Sequence, residues 1–466
     1  MSREGRERGG VGVAWCVVGL GLAAAAALWL TGPGAPGRSW VPGFLPWYSA
    51  AWVCYVVAAV VVGRARQQPR WLLLWIVVAA LAMRVVCLVR TPEMSTDVWR
   101  YLWDGRVTNA GINPYRYPPR AAGPPKGAEE REPSPHMKLL RALRNENWNP
   151  IVCKHLPTIY PPLAQMLFAG LAGVRERDAE AFRWAFILFD MGSVLVLIGL
   201  LRRTGRAPER MIWYAWCPLA ATEVAAGAHV DAFALFPLLL ALLLAARNEG
   251  RPGAASGIAL AASVMAKGYA LLAAPLFLRR GGWKLAVAFA VALLALAVPF
   301  AGARGHMFDG MSAYLDRWGV NASVFLLLDS LLARITSDHF HVARKITMAA
   351  VAAVVLVLVW RQKPGMEWLL GGTFAAIGAQ LLLGAPTLPW YVLWVVPALC
   401  WWKIPALVLF TLTVSAQYYA RGLWPGNEAA HHALLWAGYA PVYAVLIGHL
   451  MVWAIRRRRS APSRSP

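Results

Sequence analysis

The sequence predicts an all-α polytopic membrane protein, and three observations carry that reading. Of its 466 residues 59% are hydrophobic and the mean hydropathy is +0.48, more apolar surface than a soluble fold can hide. Runs near 20 apolar residues, the length that crosses a hydrocarbon core, recur at 12–31, 71–89, 283–301 and 433–455. The basic residues sit between such runs and end in RRRR at 456–459. The positive-inside rule accounts for them, so the net charge of +23 calls for no nucleic-acid partner. A β-barrel would show short alternating segments instead.

The amino terminus, MSREGRERGG, is basic and precedes about 20 apolar residues, which is long for a signal peptide and reads as a retained helix with a cytoplasmic start. Arg64, Arg66 and Arg70 mark a cytoplasmic loop after the second run. Run 71–89 then returns outward and leaves 90–159, the one long polar segment, outside. Its RAAGPPKGAEEREPSPH stretch, rich in Pro and charge, reads as mobile. Segment 160–174 is short and is expected to be only partly inserted before run 184–201. Next, 211–228 goes outward and 231–246 returns. Segment 254–279 carries Lys267 and Gly268 at its middle, which predicts two half-length helices meeting at the lysine. Runs at 283–301, 345–360, 366–384, 388–401, 404–420 and 433–455 complete about 12–14 crossings with both ends cytoplasmic. Five cysteines, Cys16, Cys54, Cys87, Cys217 and Cys400, lie in or beside these runs, and Cys153 lies in the long loop. With no CxxC pair, neither a disulfide framework nor a zinc site is supported.

Polar side chains gather in five places. In STDVWRYLWDGRV, Asp97, Arg100, Tyr101 and Asp104 fall at helical spacing, with Trp99, Leu102, Trp103 and Val107 on other faces. An amphipathic helix along the membrane surface fits this pattern, ended by GINPY. The plain structural alternative is a juxtamembrane helix with surface ion pairs such as Asp97 with Arg100. KHLPTIYPPLAQ puts Lys154, His155 and Tyr160 beside a Pro-Pro helix start. TEVAAGAHVD holds Glu223 and, at an expected outer turn, His229 and Asp231; this HxD pair could ligate a metal, but two ligands are too few, so neither metal nor cofactor is expected. Lys267 needs either a snorkelling route to water or an anion. TLPWYVLWVVP and QYYARG supply Trp390, Tyr391 and Arg421, as an aromatic belt or as surfaces for sugar rings.

With these residues in view, the chain resembles the GT-C superfamily of glycosyltransferases, more narrowly the bacterial polyprenol-phosphate-mannose-dependent α-mannosyltransferases. The resemblance rests on STDVWRYLWDGRV with GINPYRY, PTIYPPLAQ, WCPLAATEVAAGAHVDAFAL, MAKGYALLAAPLFLRR, WGVNASVF and LPWYVLWVVPAL, in that order over roughly 95–400. It implies one transmembrane glycosyltransferase domain over 1–466, with 90–159 as its extracytoplasmic catalytic loop and Asp97 as the catalytic aspartate. It also implies a polyprenyl-phosphate sugar donor, mannose first, in a multi-pass cell-membrane protein acting on the outer face.

Chemistry sets the remaining roles. The departing phosphate gains charge as the glycosidic bond breaks, so cations are needed, and Arg100, Arg106, Lys154, Lys267 and Arg421 are the candidates. The acceptor hydroxyl needs a base. Asp97 is the first choice, and His155 or His229 can substitute. A retaining route would need a second carboxylate about 5–5.5 Å away. Asp104, two turns on and roughly 10 Å along one helix, favours inversion. Tyr101, Trp103, Tyr115, Tyr160, Trp390 and Tyr391, with His155 and Asp231, are candidate substrate contacts. The acceptor, a lipid or glycan, stays open, and the chain is expected to work as a monomer among membrane lipids. The alternative function is a flippase or transporter of lipid-linked sugars, which predicts inverted repeats that the sequence does not display.

Overall fold

Helices α1 (Arg3–Leu30), α2 (Val41–Arg64) and α3 (Arg70–Arg90) pack together at the start of a structure that is helical throughout. It is a computed structural model, and it describes residues 3–32, 41–65, 68–91, 94–123, 134–174, 179–423 and 426–459. No strand occurs among the described residues. Eight helices there are long and apolar enough to cross a membrane, so the protein is an all-α multi-pass membrane protein. The mobile stretch expected near 120–136 lies mostly outside the described residues, since 124–133 are not described.

Helix α4 (Asp97–Asn109) forms where the spacing put it, and protein encloses most of it. Both flanks are covered, and Val98, Arg100, Tyr101, Leu102, Trp103, Asp104, Gly105 and Val107 are buried. One cover is α6 (Pro162–Val174), which follows the short α5 (Pro135–Ala142) and opens on Pro162. The helices touch at Gly105, where a Cβ would stand 2.2 Å from the Phe168 carbonyl oxygen. The other cover is the polar loop itself. It folds a small core of Trp103, Val107, Ile112, Ala122, Leu140 and Ile151 against α4. At 13 residues, α6 has the short length expected of segment 160–174. Its rise of about 20 Å falls below a hydrocarbon core of about 30 Å.

Helix α7 (Glu180–Arg203) spans the apolar run after it. Its Asp190 is fully buried and meets the fully buried Arg84 of α3, Oδ2 to Nε, at 2.7 Å. Arg84 also donates to the carbonyls of Ala80 and Ala215, and the Tyr214 hydroxyl donates to Asp190. Neither charge stood out in the apolar runs that carry them.

The continuous crossing expected at 211–228 is broken into α8 (Ile212–Ala215) and α9 (Pro218–Ala225). Pro218 donates no backbone bond and drives Cys217 out of the helical region, to φ −59 and ψ 116. Helix α10 (Asp231–Arg247) follows the turn, then α11 (Ala254–Ala266). Lys267 is extended at φ −161 and ψ 134, so the chain does break there. After a 3₁₀ turn at Gly268–Leu272, α12 (Ala274–Ala297) is two helical pieces that meet at a kink at Gly282, φ 65, so the second half-length piece ends there and the expected 283–301 run begins.

Helices α13 (Asp309–Arg317), α14 (Val324–Leu332), α15 (His339–Trp360) and α16 (Met366–Leu383) follow. Segment 388–401 is not a helical crossing. Pro389 and Pro397 head two 3₁₀ turns, Pro389–Trp394 and Val396–Cys400, each proline lacking the N–H an α-ladder requires. Segment 404–420 divides into α17 (Pro405–Thr413) and α18 (Ala416–Leu423), before α19 (Glu428–Arg459). The short or broken pieces explain why eight long apolar helices stand where about 12–14 crossings were expected.

Candidate active site

A cavity of about 800 Å³ lies where α4, the 152–160 loop, the Lys267 break, the 314–321 segment, the Leu388–Tyr391 turn and the start of α19 meet. Six residues singled out from the sequence border it: Asp97, Arg100, Tyr160, Lys267, Trp390 and Tyr391. Asp97 occupies the first turn of α4, where the helix dipole favours a carboxylate. Its backbone N–H donates to Ser95 Oγ at 3.2 Å. The side chain is half-buried and forms no ion pair among the described residues.

Arg100 does not pair with Asp97. Its Nε donates to Asp104 Oδ1 at 2.8 Å, and its Nη2 is buried without a partner. Asp104 is 2% exposed and does not border the cavity. Tyr101 is fully enclosed, stacked on Phe168 at 4.5 Å and edge-on to Tyr160 at 5.0 Å. Burial first, and the nearby Asp97 charge second, push both the Tyr101 and Tyr160 hydroxyls well above the usual tyrosine range. Tyr115 donates to the Tyr160 carbonyl at 2.7 Å and packs edge-on to Phe300. Trp103 belongs to the small core on the far flank of α4. Tyr101, Trp103 and Tyr115 therefore brace the site without bordering it.

Lys267 reaches Asp231 Oδ2 at 2.6 Å, and the other Asp231 oxygen accepts from Trp394 Nε1 at 2.7 Å. The ammonium stands 4.5 Å from the centre of the Tyr391 ring. Lys267 thus has a carboxylate partner and does not depend on snorkelling. His229 takes another course. It stacks on Trp390 at 3.8 Å and 17°, and its Nδ1 lies 3.1 Å from both the Glu223 carbonyl and Glu223 Oε2. Tyr418 donates to the same carboxylate at 2.8 and 3.0 Å. Gly227 makes this turn possible, because a Cβ there would stand 2.6 Å from the His229 ring. His229 and Asp231, two residues apart, serve different partners and do not converge on one point. Among the described residues no group of three His, Cys, Asp or Glu could hold a metal ion.

Lys154, His155 and Arg106 are not among the residues that border the cavity. Lys154 donates to the carbonyls of Asn149 and Ile151, each at 2.8 Å, and sits 4.6 Å over the Trp148 ring. Desolvation, with Arg144 beside it, pulls its pKa below the usual lysine value. His155 is exposed, and neither it nor Arg106 borders the cavity. Arg421 lies on α18, and its side chain is outside the described residues.

Sequence reasoning gave no role to Thr158, Gln165 or Tyr314. Tyr314 shares a 2.8 Å hydroxyl contact with Tyr391, and nothing in its stretch flags it. Gln165 lay in view as a polar residue at the apolar start of α6.

Residues 9–280, more than half of the chain, match the family model described as alpha-(1->6)-mannopyranosyltransferase, N-terminal domain. No curated protein matches the sequence. The matched part holds Asp97, Arg100, Asp231 and Lys267, and ends before Trp390 and Tyr391.

Proposed function

The chain belongs to the alpha-(1->6)-mannopyranosyltransferase family, and on that premise we propose that it moves mannose from a polyprenyl-phosphate carrier to a lipid or glycan acceptor on the extracytoplasmic face. It is a membrane glycosyltransferase of a mannosyltransferase family. The carrier, the face and the residue roles are our reading. The observation that carries it is one cavity bordered by a carboxylate, Asp97, two cations, Arg100 and Lys267, and the rings of Trp390 and Tyr391.

Asp97 takes the proton from the acceptor hydroxyl as its oxygen attacks C1 of the donor sugar. The bond from C1 to the phosphate oxygen breaks, and the electron pair leaves with the phosphate. Arg100 and Lys267 meet the charge that develops there, where charge-assisted bonds strengthen. One displacement inverts the anomeric centre, so a β-linked donor gives the α product that the family name describes. That name also points to a 6-hydroxyl of mannose as nucleophile. Inversion is supported by Asp104, which lies behind Arg100 and about 10 Å along α4 from Asp97, too far to act as a nucleophile beside it.

A lipid-borne donor is supported by a second, apolar cavity of about 280 Å³ between α16, α17 and α19. Leu435 of α19 borders the first cavity and Val442 the second. Seven residues of helix, about 10 Å, separate them, a short run for an isoprenoid leaving its phosphate.

The test is purified protein with polyprenyl-phosphate mannose and a mannose-terminated acceptor. We expect new α-(1→6) product, and Asp97→Asn should lose on the order of 10²–10⁴-fold in kcat while still inserting. Full activity in Asp97→Asn would remove Asp97 as base. Transfer from a nucleotide sugar alone would remove the lipid carrier. Movement of the lipid-linked sugar without product would restore the transporter reading.

A further inference from the structure

Both oxygens of Asp104 are committed to the protein. Oδ1 accepts from Arg100 Nε at 2.8 Å, and Oδ2 accepts from Gln165 Nε2 at 3.3 Å. Gln165, fully buried on α6, also donates to Thr158 Oγ1 at 2.7 Å. Thr158 is itself buried within the loop whose Pro157, Ile159 and Tyr160 border the cavity. A chain of polar contacts therefore runs from the cavity wall, through α6, to the rear of Arg100.

We infer that Asp104 is a positioning residue which, with Gln165 and Thr158, fixes the Arg100 guanidinium at the cavity to receive the donor phosphate. This rests on the lipid-phosphate reading given above. Three physical points carry it. A buried guanidinium needs a carboxylate partner, and Asp104 is the one the fold supplies. A free arginine gives up rotamer entropy when it is immobilised, so pinning Nε in advance removes part of that loss from ligand binding. Finally, with Nε engaged, Nη2 remains buried and unpartnered, which a protein tolerates poorly unless a ligand completes it. The same arrangement bars Asp104 from acting as base or nucleophile, since neither oxygen borders the cavity.

The test measures binding of polyprenyl phosphate, without sugar, to the full-length protein in nanodiscs, alongside steady-state transfer. Arg100→Ala and Asp104→Asn should each weaken binding roughly tenfold, the loss of one charge-assisted contact. In the Arg100→Ala background, Asp104→Asn should change nothing further, because its effect passes through Arg100. In transfer, Asp104→Asn should raise the donor KM about as much as it weakens binding and leave kcat within several-fold, whereas loss of a base or nucleophile would drop kcat by more than about a hundredfold. Thr158→Val, nearly isosteric and remote from the guanidinium, should weaken binding several-fold and guards against a misfolded Asp104 variant.

Multiplying effects in the double variant, a collapse of kcat at unchanged KM, or normal binding in both Asp104→Asn and Thr158→Val would each overturn the inference and leave the donor reading standing. A wild-type protein that binds no polyprenyl phosphate would overturn both.

Discussion

Replacing Asp190 with Ala tests how the interior holds its charges. Arg84 and Asp190 sit fully buried in two apolar helices, joined at 2.7 Å. Removing the carboxylate deprives Arg84 Nε of its acceptor and the Tyr214 hydroxyl of its own. Arg84 Nη2 already lacks a partner, and Nη1 keeps only the carbonyls of Ala80 and Ala215. The guanidinium cannot lose its proton, so it stays as an uncompensated charge. Breaking such a pair costs about 3–5 kcal/mol, while replacing both members with apolar residues is often neutral. Asp190→Ala should therefore destabilise by about 3–5 kcal/mol, and Arg84→Met with Asp190→Leu should lie nearer the wild type than either single variant. Equilibrium unfolding in detergent or nanodiscs, with the full double-mutant cycle, measures this. A single variant within about 1 kcal/mol of wild type, the scale of an exposed pair, would refute the reasoning.

Three further outcomes follow from the same geometry. Gly105→Val should loosen α4 from α6, because its Cβ would meet the Phe168 carbonyl oxygen at 2.2 Å. Overpacking of this kind typically costs about 1–3 kcal/mol, and unchanged thermal unfolding would count against the contact. Lys267→Met should strand the buried Asp231 carboxylate on Trp394 alone, lowering both stability and polyprenyl-phosphate binding. Adding Asp231→Asn should recover stability but not binding, and recovery of both would remove Lys267 from the phosphate site. The raised pKa values of Tyr101 and Tyr160 also set an alkaline limit. Below about pH 10 both folded and unfolded chains keep these protons. Above it the unfolded chain releases them first, so stability falls as pH rises towards the folded values. Difference absorbance against Tyr101→Phe and Tyr160→Phe should show these rings ionising only with unfolding. Their reversible ionisation near pH 10 in folded protein would contradict the burial.

Local chemistry made some of this fold legible. A lysine and a glycine inside an apolar run marked the Lys267 break, and Pro-Pro marked the start of α6. The i, i+3, i+4 and i+7 pattern placed α4 but not its surroundings. From that pattern Arg100 could pair with Asp97 or Asp104, since both spacings reach. Packing decides between them: α6 closes over Gly105 and brings Gln165 to Asp104, while the first turn of α4 stays beside the cavity. Arg84 and Asp190 lie 106 residues apart, and no local pattern joins them. The prolines at 218, 389 and 397 stand in plain view in the sequence, yet apolar run length alone predicts a crossing at each of them. Hydropathy reports affinity for lipid, whereas proline reports whether the backbone can satisfy itself there as a helix.

The distribution of charge ties these points to function. In an apolar interior each ionised group must find a partner or lose its charge. Here Arg84 takes Asp190, Arg100 takes Asp104, Lys267 takes Asp231, and Glu223 gathers His229 and Tyr418. Asp97 is the acid that borders the large cavity, and among the described residues it has no cation paired to it. A carboxylate with a fixed cation partner holds structure, because that partner stabilises its ionised form and occupies its oxygens. A base must instead have an oxygen open to the substrate and a proton affinity set by that encounter. On the proposed mechanism one helix would meet both demands, with Asp104 turned inward to Arg100 and Asp97 left at the cavity, three residues before that guanidinium.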